Sequence, residues 1–371
     1  MIRPAAVGLY VHIPFCAVKC FYCDFTAFAG QRKSADRYLE ALEAEAHLMP
    51  AREPSTLYIG GGTPSELDAD QLAGLLALIS RSYPSAVFKE ATCEANVDSL
   101  SVGKIEALRR GGINRLSLGL QTADDALLRS VGRRHTMADF ARVYRDVRAV
   151  GGFSVSIDLM YGLPGQTLQS CLESLEEVLR LAPEHLSLYG LQVEDRTLFS
   201  KRGVETDEGL GREMFERCLD RLAAEGFHHY EISNFARPGF ESIHNGIYWH
   251  DGEYVGLGCG AASYLGGART SNIDRLEPYC SAALSGRRPI AQSERLAGQE
   301  KLGETIMLKL RLLDGFEPTE EMNARFSPGW RRLAEQGLVS RRGPRVALTR
   351  EGVFLANAAA REFVAPFREA A

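Results

Sequence analysis

From Leu9 to about Leu191, short β-rich apolar runs alternate with stretches whose apolar positions recur every three or four residues. The runs are Leu9 to Ile13, Thr56 to Ile59, Phe88 to Glu94, Arg115 to Leu120, Val155 to Met160 and His185 to Leu191. Between them, Leu39, Leu42, Ala46 and Met49 fall on one stripe of a helix, and so do Phe140, Val143, Val147 and Val150. Gly111 and Gly151 stand where left-handed helix caps are expected. Six strand-then-helix units predict a parallel sheet, because parallel strands need crossover connections and nearly all of these are right-handed. Periodicity alone leaves open whether the sheet lies flat or curls into a full or partial barrel.

Past residue 236 the rhythm changes. Residues 237–285 form an irregular segment rich in Gly, Tyr and Asn, and a linker-like stretch, Ser285 to Arg295, follows it. Leu302, Ile306, Leu310 and Leu313 then mark a helix, and a second helix near Trp330 ends at Gly337. Leu338 to Ser340 and Arg345 to Thr349, joined through Gly343-Pro344, read as a hairpin with another helix after it. The expected organisation is an α/β core over 1–236, the irregular segment over 237–285, and a smaller α+β, winged-helix-like module over 296–371.

Composition narrows the class. A chain of 371 residues with 45% hydrophobic and 25% charged positions is an ordinary globular protein, long enough for one large core and an accessory module. Its net charge of −5 argues against a general nucleic-acid footprint. Six arginines against one glutamate between Arg331 and Arg350 make a local basic patch, which would suit DNA, lipid head groups or an acidic partner and is more often a solvated face. Met1 to Phe15 has no apolar signal core and no stretch is long enough to span a bilayer, so a cytoplasmic location is expected. Reduced cysteines are expected there. Cys171, with Leu168 and Leu175, and Cys218, with Phe215 and Leu222, read as small core hydrophobes.

The remaining chemistry gathers after the strands, at the carboxyl ends where α/β sheets and barrels bind ligands. Cys16-Ala-Val-Lys-Cys20-Phe-Tyr-Cys23 puts three thiols on one short loop with no fourth cysteine near. Three thiolates can hold three irons of a 4Fe-4S cube and leave one iron open. Structural zinc takes four ligands, for which His12 is the one nearby candidate. Gly60-Gly61-Gly62-Thr63-Pro64 closes the second strand and offers close backbone approach and free amides, a property that many purely structural turns share.

These residues resemble the radical S-adenosylmethionine (SAM) superfamily: CxxxCxxC follows a first strand and is preceded by Tyr10-Val-His-Ile-Pro-Phe. Tyr10, the cysteines, the Gly-Gly-Thr-Pro turn, Glu94, Gln121, Arg133 and Asp158, read in order, are similar to its coproporphyrinogen-oxidase-like branch. The resemblance implies a partial (β/α)6 barrel, a 4Fe-4S cluster on Cys16, Cys20 and Cys23, and SAM bound by Tyr10, Tyr22, Gly61, Gly62, Thr63, Glu94, Gln121, Arg133 and Asp158. Carboxylates and amides suit ribose hydroxyls, and a guanidinium suits a carboxylate. Val97 stands where members of the branch often have Pro.

Within that branch the resemblance points to heme chaperones ahead of oxygen-independent coproporphyrinogen III oxidases. Phe25 takes the place of the oxidases' further cysteine, and Tyr10 is near the start, where the oxidases carry an extension. His244-Asn245-Gly-Ile-Tyr248-Trp249 resembles the chaperones' HNxxYW heme motif, although Ile243 and Ala262 depart from its flanks. The implied heme contacts are His244, Asn245, Tyr248 and Trp249, with His228, His229 and His250 as nearby alternatives. Apart from the resemblance, a lone His among aromatics is more often a hydrogen-bonded packing residue. The implied partners are heme, client hemoproteins such as those of the respiratory chain, a membrane surface, a reductant for the cluster and a second copy of the chain. SAM cleavage stays an open question, and nucleic acid is not expected.

Overall fold

The computed structural model describes residues 7–364. The reading of Met1 to Phe15 therefore meets the structure only from Val7, and positions 365–371 of the end module lie outside the described residues.

Six parallel strands lie side by side in chain order: β1 (Val7–Ile13), β2 (Pro54–Gly61), β3 (Glu90–Ala95), β4 (Arg115–Gln121), β5 (Ser154–Tyr161) and β6 (His185–Gly190). The helices that connect and follow them are α1 (Ala35–Leu48), α2 (Ala69–Ser82), α3 (Val102–Arg110), α4 (Met137–Val150), α5 (Leu168–Leu181) and α6 (Glu208–Ala224). Each strand neighbours its predecessor and the order never reverses, so right-handed crossovers put every helix on one face. Leu9, Val11 and Ile13 of β1 and Leu57 and Ile59 of β2 bury that face in a core shared with Leu42 of α1 and Leu75 of α2. The alternate residues face the other way. They are polar, and they bond across the interior: Tyr58 to Glu94, Ser117 to Asp158, Ser156 to His185. This is the expected α/β fold with a mostly parallel, curled sheet.

Several local expectations change. The sheet does not stop at residue 236. An antiparallel pair, β7 (His228–Glu231) and β8 (Asn234–Ala236), extends it beyond β6. On the other side β9 (Tyr254–Leu257) pairs parallel with β1 and carries β10 (Ala262–Leu265), β11 (Ala268–Asn272) and β12 (Ile290–Glu294) in antiparallel order. The irregular segment and the linker-like stretch are thus sheet edge, in strands of four or five residues, too short to show a period. Gly111 has φ −78° and makes room for Leu76, while Gly112 takes the positive φ. Gly151 has positive φ but an extended ψ of 177°. Cys171 and Cys218 are buried, with their sulfurs 3.8 Å apart between α5 and α6.

Helix α7 (Ile243–Trp249) belongs to the site described below, and α8 (Leu276–Leu284) packs on α1. The C-terminal elements are α9 (Gly298–Lys309), α10 (Glu320–Arg325), α11 (Ser327–Glu335), the hairpin β13 (Val339–Arg342) and β14 (Arg345–Leu348), and short helices α12 (Arg350–Phe354) and α13 (Ala356–Arg361). The first of these ends four residues before Leu313, which donates its N–H to Tyr230 O instead. Phe316 bridges to Val346 beside the hairpin. Trp330 and Phe363 pack at 4.3 Å between ring centres. Arg212 to Glu351 and Phe215 against Phe354 join the module to α6.

Candidate functional site

The cysteine loop leaves the carboxyl end of β1 and is tied down at several points. Phe28 donates its N–H to Pro14 O at 2.7 Å, Gly30 to Cys16 O at 3.1 Å, and Phe21 to Val131 O at 3.1 Å. Cys16, Cys20 and Cys23 are all half-buried. Burial pushes the Cys16 thiol up to about 11 and raises Cys23, so ligation there releases protons. Among the described residues no three His, Cys, Asp or Glu side chains are grouped tightly enough to hold one metal ion. Cys93, Cys259 and Cys280 are buried elsewhere. As a fourth ligand His12 would have to give up a partner, because Nδ1 accepts from the Tyr10 hydroxyl at 2.9 Å and Nε2 donates to Thr26 O at 2.8 Å.

Beside the loop the Gly-rich turn meets the thiols. A Cβ on Gly62 would lie 2.9 Å from Phe15 O and 3.1 Å from Cys16 Sγ, so only glycine lets the turn pass. Thr63 Oγ1 sits 3.4 Å from Cys16 Sγ and accepts from Asn96 Nδ2 at 3.0 Å. Asn96 Oδ1 accepts from Arg133 Nη1 at 2.6 Å, and Arg133 Nη2 donates to the Tyr22 hydroxyl at 3.2 Å. One polar chain thus runs from the first cysteine through the turn to the guanidinium and back to the loop. Arg133 Nε is buried without a partner, a free donor suited to an anionic oxygen such as the SAM carboxylate. Gln121 is buried at φ +75°, and a Cβ on Gly119 would lie 3.0 Å from both Gln121 Nε2 and Arg133 Nη2, so these two share one spot.

Glu94 lies on the inner face of β3, accepting from the Tyr58 hydroxyl at 2.7 Å and from Gly61 N at 3.3 Å. Burial raises its carboxyl to about 7, with the nearby Asp158 adding to the rise. Asp158 accepts from Ser117 Oγ at 3.1 Å and is likewise raised by burial. The fold therefore brings Tyr22, Gly61, Gly62, Thr63, Glu94, Gln121 and Arg133 to one mouth, with Asp158 near Glu94 on the inner face, while Tyr10 lies against the Tyr58 ring and lines the cavity described next. Asn96, the hinge of the network, was not among the SAM candidates; it stands two residues past Glu94, and only its position against Arg133 shows its role.

The amino-terminal end of the barrel is plugged by α7, which carries the His-Asn-Gly-Ile-Tyr-Trp stretch. Glu90, buried on β3, accepts from Ser242 Oγ at 3.2 Å, Ile243 N at 2.9 Å and His244 N at 3.0 Å, so a carboxylate meets the helix's positive end. His244 is 1% exposed. Its Nδ1 bonds Thr56 Oγ1 and its Nε2 bonds the Tyr248 hydroxyl, both at 2.8 Å, and its ring stacks on Tyr58. Burial lowers it to about 3, so the ring is neutral. An iron bond at His244 would have to displace one of those two partners. Asn245 donates its N–H to Ser242 Oγ. Tyr248 and Trp249 instead face a cavity of about 350 Å³ walled also by Tyr10, Tyr254, Tyr264, Arg269 and Leu308. Of the alternative histidines, His228 meets Glu241 and Asp314, His229 stacks on Phe235, and His250 bonds Gly246 O. None of the three lines the cavity.

A curled parallel sheet with a three-cysteine loop at its carboxyl ends defines the class of barrel proteins built for a cluster and SAM. A family model described as the Radical SAM superfamily matches residues 10–178. The heme chaperone HemW of Bacillus subtilis is 37% identical over 365 residues, covering 94% of this chain and 96% of its own. That of Mycobacterium tuberculosis is 33% identical over 366 residues, covering 95% and 94%. The coproporphyrinogen III oxidase HemN of Escherichia coli, a radical SAM enzyme, superposes with a TM-score of 0.84 over 98% of this chain and 91% of its own at 24% identity, a likeness of fold. The chain belongs to the radical SAM superfamily and, within it, to the family of the HemW heme chaperones.

Proposed function

We propose that this protein binds heme and hands it to client hemoproteins, respiratory-chain proteins among them, under the influence of a 4Fe-4S cluster on Cys16, Cys20 and Cys23 and of SAM in the adjoining cradle. The observation that carries this reading is the seating of α7: Glu90 holds the helix in the barrel so that Tyr248 and Trp249 wall an aromatic cavity reaching Tyr10. At about 350 Å³ the cavity is at the small end for ligand pockets and takes one edge of a flat tetrapyrrole. Tyr and Trp faces suit that edge. His244 fixes the Tyr248 hydroxyl from behind.

The cluster, when bound and reduced, would supply an electron to SAM. The chain's own part is to hold SAM: Arg133 for the carboxylate, Thr63 and the Gly61–Gly62 backbone for the amine, Glu94, Gln121 and Asp158 for the ribose, Tyr10 and Tyr22 beside them. A client docks on the C-terminal module, where Arg332 and Arg350 are ion-paired with Glu362 and Asp220 and exposed Arg342 and Arg345 on the hairpin face an acidic partner or an anionic membrane surface. A second copy of the chain and a cytoplasmic reductant complete the reading. No helix among the described residues is long and apolar enough to cross a membrane.

The test is anaerobic reconstitution with iron and sulfide, then separate incubation with heme and with coproporphyrinogen III plus SAM and reductant. Stable heme binding, transfer to an apo-hemoprotein and no decarboxylated product are expected. SAM-dependent decarboxylation would make the chain an oxidase despite Phe25, which is 65% exposed.

A further inference from the structure

One imidazole touches three parts of the site at once. His12 lies on the inner face of β1, 6% exposed. A carbonyl only accepts, so its bond to Thr26 O places the ring proton on Nε2; Nδ1 is then the acceptor, and the Tyr10 hydroxyl donates to it. Tyr10 is a wall of the aromatic cavity. Thr26 follows the last cysteine by three residues, and its side chain is pressed against Gly260, where a Cβ would come within 2.9 Å of Oγ1. The same ring lies so close under the Gly-rich turn that a Cβ on Gly61 would be 2.7 Å from Nδ1 and Cε1.

We infer that His12 is a positioning residue that couples the aromatic cavity to the cysteine loop, so that a tetrapyrrole edge against Tyr10 and SAM in the cradle alter each other's affinity. The inference rests on the heme reading above and adds a physical link. A ligand that turns or displaces Tyr10 breaks or redirects its hydroxyl from Nδ1. The ring is held between Thr26 O and Gly61, so it transmits the change as a shift of the loop and of the turn together. Binding energies coupled in this way are reciprocal: the factor by which heme changes SAM affinity equals the factor by which SAM changes heme affinity.

The test uses the full chain with its cluster reconstituted anaerobically. SAM affinity is measured with and without saturating heme, and heme affinity with and without SAM, in the wild type, in His12→Phe and in Tyr10→Phe, which deletes only the hydroxyl. The wild type is expected to show a reciprocal factor of about five or more, and both variants a factor near one, whatever their absolute affinities for each ligand. The EPR spectrum of the reduced cluster with SAM should respond to heme in the wild type and not in the variants. Equal SAM affinity with and without heme in the wild type, or an undiminished factor in Tyr10→Phe, overturns the coupling. Failure of the wild type to bind heme at all removes the chaperone reading itself, a different result from heme binding without coupling.

Discussion

Glu90 offers the sharpest test of how the barrel holds its plug. Glu90→Ala removes the acceptor for two amides at the start of α7, the half-buried Ile243 N and the buried His244 N, and for the buried Ser242 Oγ. Each buried donor left without a partner costs about 1–3 kcal/mol. Losing the negative charge at the helix's positive end adds up to about 2 kcal/mol in a buried setting. Water entering the gap offsets part of this, so a loss of about 4 kcal/mol is expected, a large share of the roughly 5–15 kcal/mol that stabilises a typical domain. Glu90→Gln retains one acceptor oxygen and should cost about half as much. Urea unfolding followed by circular dichroism measures the total. The two tryptophans are Trp249 and Trp330, so Trp330→Phe isolates the one at the end of α7. In that background Glu90→Ala should shift Trp249 emission to the red at lower urea than the loss of helix signal. A cost under about 1 kcal/mol, or equal costs for Ala and Gln, would refute the seating described for α7.

Other expectations follow from the same geometry. Cys16→Ala, Cys20→Ala and Cys23→Ala should each abolish the cluster's visible absorption after reconstitution while far-ultraviolet circular dichroism is kept; cluster retained in any of them would remove that residue from the ligand set. Asn96→Ala strips Arg133 of its 2.6 Å partner and Thr63 of its donor, and should weaken SAM binding by at least about tenfold, since hydrogen bonds to charged groups contribute about 1.5–3 kcal/mol. Calorimetry decides that. Glu45 is buried where Gly258 N, Tyr279 OH and Asn272 Nδ2 all donate to it, yet burial outweighs them and raises its carboxyl to about 7. The folded chain then keeps a proton that the unfolded chain gives up near 4.5, so stability should fall as pH rises from about 4.5 to 7 and level off above that, with Glu45→Gln flattening this slope. An unaltered slope in the variant would assign the titration to another group.

Much of this site is legible in the chain because its parts are local. The CxxxCxxC spacing, the Gly-Gly-Thr-Pro turn and the strand-helix alternation each occupy a few consecutive residues and carry their meaning at short range. The inner faces are harder to read. Tyr10, Tyr58, Glu94 and Asp158 alternate with fully buried apolar neighbours such as Val11, Ile59, Cys93 and Ile157, so their strands look like uniform buried runs until the curl gives them an interior. Glu90 and Arg115, like Glu94 and Asp158, are charges inside such runs and are visible signs that the barrel has polar contents.

The residues by themselves determined the six strand-and-helix units, the three thiols on one loop and the order in which the candidate SAM-binding side chains leave their strands, since these depend on spacings of two to four positions. Tertiary structure decided the partnerships. Asn96 meets Arg133 across 37 residues and His244 meets Thr56 across 188. It also made a segment of short, glycine-broken pieces into sheet edge and seated a seven-residue helix in the barrel. The physical reason is that a buried hydrogen-bond donor takes whichever acceptor the packing brings within about 3 Å, and distance along the chain carries no information about that choice.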